Sequence, residues 1–174
     1  MPTLELKTRF HTSVAHLAAP DRGAPAEPQS LTQAVQATVE RLNTSILRPV
    51  ARSLSNLAFQ PRFMLALLTY CYARQIYGSA DVAGFLARDA ALCKVCQNEF
   101  PGAGQIRQFR DDNRQAIRAC LTAALSYLAR QKKAAGIVTK VNEATLAEEA
   151  SRRLTMATWM DTTEISHTLM PLTS

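Results

Sequence analysis

The chain has 174 residues, room for one domain with tails and a sizeable core, and its 20 Lys and Arg against 14 Asp and Glu leave a net charge of +6. Hydrophobic residues make up 47% but aromatics only 6%, with six glycines, a balance rich in Ala and Leu that favours helices and argues against an extended sheet. No run approaches the roughly 20 apolar residues of a membrane span, and Glu5, Lys7 and Arg9 stand where a signal peptide would be apolar, so a cytoplasmic chain without a membrane partner is expected.

Residues 1–29 end in a run containing Pro20, Pro25 and Pro28, which cannot hold a regular helix and reads as a flexible Pro/Ala-rich arm. The first helix is predicted to start at Ser30, where Ser30-Leu31-Thr32-Gln33 has the form of a capping box. Leu31, Val35, Val39, Leu42 and Ile46 then recur on one face. Pro49 restarts the chain, and a short helix using Val50, Leu54 and Leu57 is expected after it. Pro61 suits the first turn of the next helix, residues 62–77, which is apolar nearly all round and therefore belongs at the centre of a bundle. Gly78 ends it, and Ser79 is expected to cap a helix over 80–93 that buries Val82, Phe85 and Leu86.

Pro101, Gly102 and Gly104 mark a turn over 98–104, after which one long helix is predicted from Gln105 to about residue 135, where Gly136 stops it. Its core stripe is Ile106, Phe109, Ile117, Cys120, Leu121, Ala124 and Leu128. Asn142 is expected to cap a last helix through residue 157, with Glu148 to Arg152 and Glu149 to Arg153 as ion pairs; the Thr-rich residues 158–174 read as a loose tail. The expected fold is thus all-α: a compact multi-helix bundle over 30–157 containing a helix-turn-helix-like unit, between flexible tails.

The charge is unevenly placed. Residues 101–140 hold eight cations and two carboxylates, a surplus of six, while the remainder balances at twelve of each. On a single helix, Arg107, Arg110, Arg114 and Arg118 fall within about 80° of one another, interleaved with Gln105, Gln108 and Asn113. Arg forks suit phosphates and the acceptor edge of guanine, and Gln and Asn suit adenine, so this row reads as a helix for the major groove of duplex DNA, with Lys132 and Lys133 as further phosphate contacts. Residues 80–93 would be the supporting helix of the helix-turn-helix unit.

Pro61-Arg62-Phe63-Met64-Leu65-Ala66-Leu67-Leu68, Tyr72, Gly78-Ser79, Phe85-Leu86, Asp89, Pro101 and Gln105-Ile106-Arg107-Gln108-Phe109-Arg110 together resemble the N-terminal helical domain of bacterial insertion-sequence transposases of the IS5 and IS1182 type, over about residues 60–138. The resemblance implies a domain that engages transposon ends ahead of a catalytic domain of ribonuclease-H type. Two-metal phosphoryl transfer needs carboxylates converging from separated elements. Glu143, Glu148, Glu149, Asp161 and Glu164, the acids after Val138, lie on one expected helix and its tail. The chain is therefore expected to be no enzyme: a truncated or domesticated DNA-binding remnant that binds transposon ends or competes there, nucleoid-associated and without a cofactor or small-molecule substrate. The alternative is a helical interaction or oligomerisation module without DNA contact, whose seam would be Val35, Val39 and Leu42.

Other signals weigh less. Cys93 and Cys96 have the spacing of a metal-ligand pair, but Cys71 and Cys120 read as reduced core residues, so no zinc site is expected. His11, His16 and His167 form no triad with a cysteine. Trp159 and Met160 read as capping the bundle, their exposure being the mark of a partner surface.

Overall fold

The computed structural model describes residues 28, 30–51, 58–88, 100–137, 140 and 142–169, the last four as backbone only. Among them are six α-helices: α1 (Leu31–Arg41), α2 (Pro61–Ala73), α3 (Ser79–Ala87), α4 (Ala103–Asp112), α5 (Arg114–Ala134) and α6 (Glu143–Leu169), with a short 3-10 turn, Thr44–Ile46, after α1. The all-α expectation is met. The arm before residue 28 and most of the stretch with Leu54 and Leu57 lie outside the described residues.

Local chemistry sets most of the boundaries. The Ser30 hydroxyl accepts a bond from the Gln33 amide and starts α1 as expected. The helix stops at Arg41, earlier than the Ile46 that periodicity suggested, because the Asn43 side chain accepts from both the Ser45 amide and its hydroxyl and offers the backbone a turn in place of a further helical bond. Ile46 is consequently exposed. Val50 is extended rather than helical: Phe59 donates to its carbonyl and Ala51 forms an antiparallel bridge with Ala58.

Pro61 occupies the first turn of α2, whose residues from Met64 onward are almost all buried. The helix ends at Ala73, well before Gly78, and Gln75, just past the Arg74 cap, takes a left-handed φ of 65°. Ile76 donates to the Cys71 carbonyl and Gln75 to that of Tyr72, a Schellman closure. The same closure ends α5: Ile137 donates to Lys132 and Gly136 to Lys133, with Gly136 at φ 73°. A side chain is disfavoured in the left-handed region by about 1–2 kcal/mol, partly offset by the entropy glycine loses on folding. Gln75→Gly is therefore expected to raise unfolding stability by about 0.5–1 kcal/mol and Gly136→Ala to lower it by about the same amount. Urea denaturation of the two variants checks the opposite signs.

α5 lies at the centre, against α1, α2 and α6, while α3 packs on α4. Met64, Leu65, Leu68, Leu86, Ile106, Phe109, Ile117, Leu121 and Leu154 fill the common core. Val35 and Val39 belong to it, being 2% and 4% exposed, so the seam expected for an oligomer is an internal contact.

The stretch read as a loose tail is helical. Asn142 caps α6 through the Ala144 amide, but the helix continues past residue 157 to Leu169. Its threonines satisfy their own hydroxyls along the helix, Thr158 on Leu154, Thr162 on Thr158 and Thr163 on Trp159, and its inward face carries Ala150, Leu154, Ala157 and Asp161. Arg153 donates to the Tyr72 and Ala73 carbonyls, closing the C-terminal end of α2. Of the two ion pairs foreseen on α6, Glu149 to Arg153 forms at 2.7 Å, and Arg152 also turns to Glu149 rather than to Glu148.

Candidate nucleic-acid interface

The predicted arginine row is not a row. α4 and α5 meet at Asn113, whose φ of −121° and ψ of 23° bend the path between them. The helical bonds persist across it, from the Asn113 amide to Phe109 and from Ile117 to Asn113, so the chain kinks without stopping. The cause is the amide side chain. Its Nδ2 donates back to the Phe109 carbonyl at 2.9 Å and to the Arg48 carbonyl at 3.0 Å, while its Oδ1 accepts from the Arg48 amide at 2.8 Å. Asn113 is thus a buried tie holding the extended residues before α2 against α4, and is withdrawn from any base.

Arg110 is the largest correction. It is 1% exposed, with Nη1 donating to Asp161 Oδ2 at 2.5 Å and touching the Ser79 hydroxyl, and Nε donating to Asp111. Asp161 also accepts from the Ser79 amide at 2.8 Å and from its hydroxyl at 2.7 Å. The expected capping by Ser79 is therefore reversed: Gly78 is the N-cap of α3, and a carboxylate from α6 closes that helix end. Burial alone would pull the Arg110 pKa down, but the neighbouring Tyr72 hydroxyl and Asp161 outweigh it and hold the pKa above its ordinary value. The Tyr72 hydroxyl is buried without a hydrogen bond among the described residues; burial raises its pKa, with Arg110 opposing. The cluster joins α2, α3, α4 and α6 and offers nothing to a polyanion.

Gln105 is also committed. Its Oε1 accepts from the Gly102 amide at the N-terminus of α4, and its Nε2 donates to the Ala51 carbonyl at 2.7 Å. It is a cap and a loop tie rather than a base reader. Gln108 is exposed and Arg107 half-exposed on α4. The helix-turn-helix unit is not confirmed: α3 and α4 do pack together, but the connection between them falls at 89–99, outside the described residues.

Exposed positive charge gathers along α5. Arg114, Arg118, Arg130, Lys132 and Lys133 are all exposed, the helix contains no carboxylate, and none of the five enters an ion pair among the described residues. Arg118, Lys133 and Arg130 fall within about 120° on the side turned away from the core. Arg114 lies at its edge, donating to Thr155 and Thr158 at 3.4 Å, long enough to leave its charge available.

Neither described cysteine is presented as a nucleophile. Burial pushes the Cys71 thiol up to about 12 and the Cys120 thiol to about 11, and both sit in the core as expected. Cys93 and Cys96 lie outside the described residues. Among the described residues no group of three or more His, Cys, Asp or Glu side chains is placed to hold a metal ion, and no helix is long and apolar enough to cross a membrane. No family profile, curated protein or solved structure matches the chain.

Proposed function

We propose that the chain is a non-catalytic module that binds duplex DNA through the phosphate backbone, by the exposed cations of α5. The observation that carries this reading is a helix of 21 residues with five exposed cations, no acid and no internal ion pair among the described residues. Such charges repel one another in the free protein and gain by displacing the counterions condensed on a polyanion. The resemblance of residues 60–138 to transposase front ends supports reading the polyanion as DNA and the chain as nucleoid-associated.

Recognition of individual bases is not part of the proposal. With Arg110, Gln105 and Asn113 turned inward and α5 flanked by three helices, the remaining contacts are phosphate contacts, which position a protein without reading sequence. Arg107, half-exposed, and Gln108, exposed, are further contacts on α4.

The test is fluorescence anisotropy of a short labelled duplex across salt concentrations. Affinity is expected to fall linearly on logarithmic axes with a slope of about −0.9 per phosphate neutralised. Arg118→Ala with Lys133→Ala is expected to reduce that slope by about 1.8 and to weaken binding similarly for unrelated sequences. A slope near zero, or one that the double variant leaves unchanged, overturns the proposal. The alternative reading, an interaction module without DNA contact, is favoured by one observation, the 61% exposure of Trp159.

A further inference from the structure

The start of α3 and the last turns of α6 leave an open groove of about 280 Å3 between them. Trp159, Met160, Ala80 and Gly78 make its walls apolar, and Asp81 and Glu164 are on its lining. Trp159 projects from the side of α6 opposite the buried Ala150, Leu154 and Ala157. An indole left in water at the mouth of an apolar, acid-rimmed groove is a surface built for an apolar knob flanked by positive charge.

The same chain carries such a knob. The Schellman turn at Gly136 throws Ile137 outward, where it is 72% exposed, directly after Arg130, Lys132 and Lys133 and with no acid in the preceding helix. Knob and groove cannot meet within one molecule. α5 and α6 run antiparallel, since α6 begins at Glu143, just after the end of α5, and Arg114 at the start of α5 touches Thr155 and Thr158 midway along α6, so the Ile137 tip lies the length of α5, about 30 Å, from Trp159.

We infer that the Ile137 tip of one copy docks in the Trp159 groove of a second copy, head to tail. Ile137 takes the apolar wall, and Lys132 and Lys133 face Asp81 and Glu164. Different patches meet in this contact, so it is heterologous and each added copy still presents one free knob and one free groove. A single side chain with its charged rim is a small contact, which makes the association reversible, concentration-dependent and weakened by salt. It does not rest on the DNA reading, which anisotropy tests at protein concentrations too low for association.

Trp159 is the chain's one tryptophan, so its emission reports the groove directly. Raising the protein concentration at low salt is expected to shift that emission to the blue while sedimentation velocity shows a rising mean mass, both reversed by high salt. Trp159→Ala and Ile137→Asp are each expected to be monomeric, with circular dichroism unchanged because both side chains are exposed. Mixed, they are expected to form a one-to-one dimer and nothing larger, since the first keeps its knob and the second its groove. A mass independent of concentration, a rising mass with unshifted emission, or a mixture that stays monomeric overturns the inference.

Discussion

Arg110→Met is expected to lower the free energy of unfolding by about 3–5 kcal/mol, read by urea denaturation followed by circular dichroism. The change leaves Asp161, itself 2% exposed, as a buried carboxylate whose charge partner has gone. Asp161→Leu is expected to cost about as much, because it strands the guanidinium and also uncovers the amide and hydroxyl of Ser79. Asp161→Asn is expected to cost less, since an amide oxygen can still accept from the Ser79 amide. The double change Arg110→Met with Asp161→Leu should cost well under the sum, for the desolvated charges disappear together and only the Ser79 groups remain orphaned. Losses below about 1 kcal/mol for both single changes, or additive losses, would show that the pair is not the tie described here. The raised Arg110 pKa sets the direction with pH: its contribution is full below the ordinary arginine value and is lost only as pH climbs through the higher folded one.

Asn113→Ala is expected to destabilise by about 2–3 kcal/mol, by unpairing backbone groups that one amide now satisfies. The Arg48 amide loses its acceptor and the Arg48 carbonyl its donor, while the Phe109 carbonyl keeps the bond from the residue 113 amide. Alanine is the better helix former, so the α4–α5 junction gains a few tenths of a kcal/mol locally, too little to offset the loss. Hydrogen exchange separates the two effects: the Arg48 amide should exchange much faster, and the Ile117 amide should not. An unchanged Arg48 amide would mean that the extended residues before α2 are held by something other than Asn113.

These two residues also show how far the chain can be read without its fold. Ser30, Asn142, Pro61 and Gly136 act on neighbours within a few positions, and the apolar residues of α2 and of the α4–α5 stripe repeat at helical spacing, so both kinds of signal were legible. The basic character of α5 was legible too, since it has no acid in 21 residues. The Arg110 site was not. An arginine beside an apolar stripe looks like a snorkelling surface residue, and the partner that draws it inward, Asp161, lies 51 positions away in a segment whose threonines suggested disorder. One hint was present: Arg110 follows Ile106 by four and therefore faces within about 40° of a fully buried side chain.

The same division holds for function. By itself the sequence determined that the protein is helical, that its excess charge sits in one stretch, and where its main caps fall, because each depends on residues close together along the chain. Only the tertiary structure decided which of those charges face water. Whether a guanidinium is solvated or desolvated depends on what other segments bring to it, and α6 brought a carboxylate to Arg110 and none to Arg118, Arg130 or Lys133.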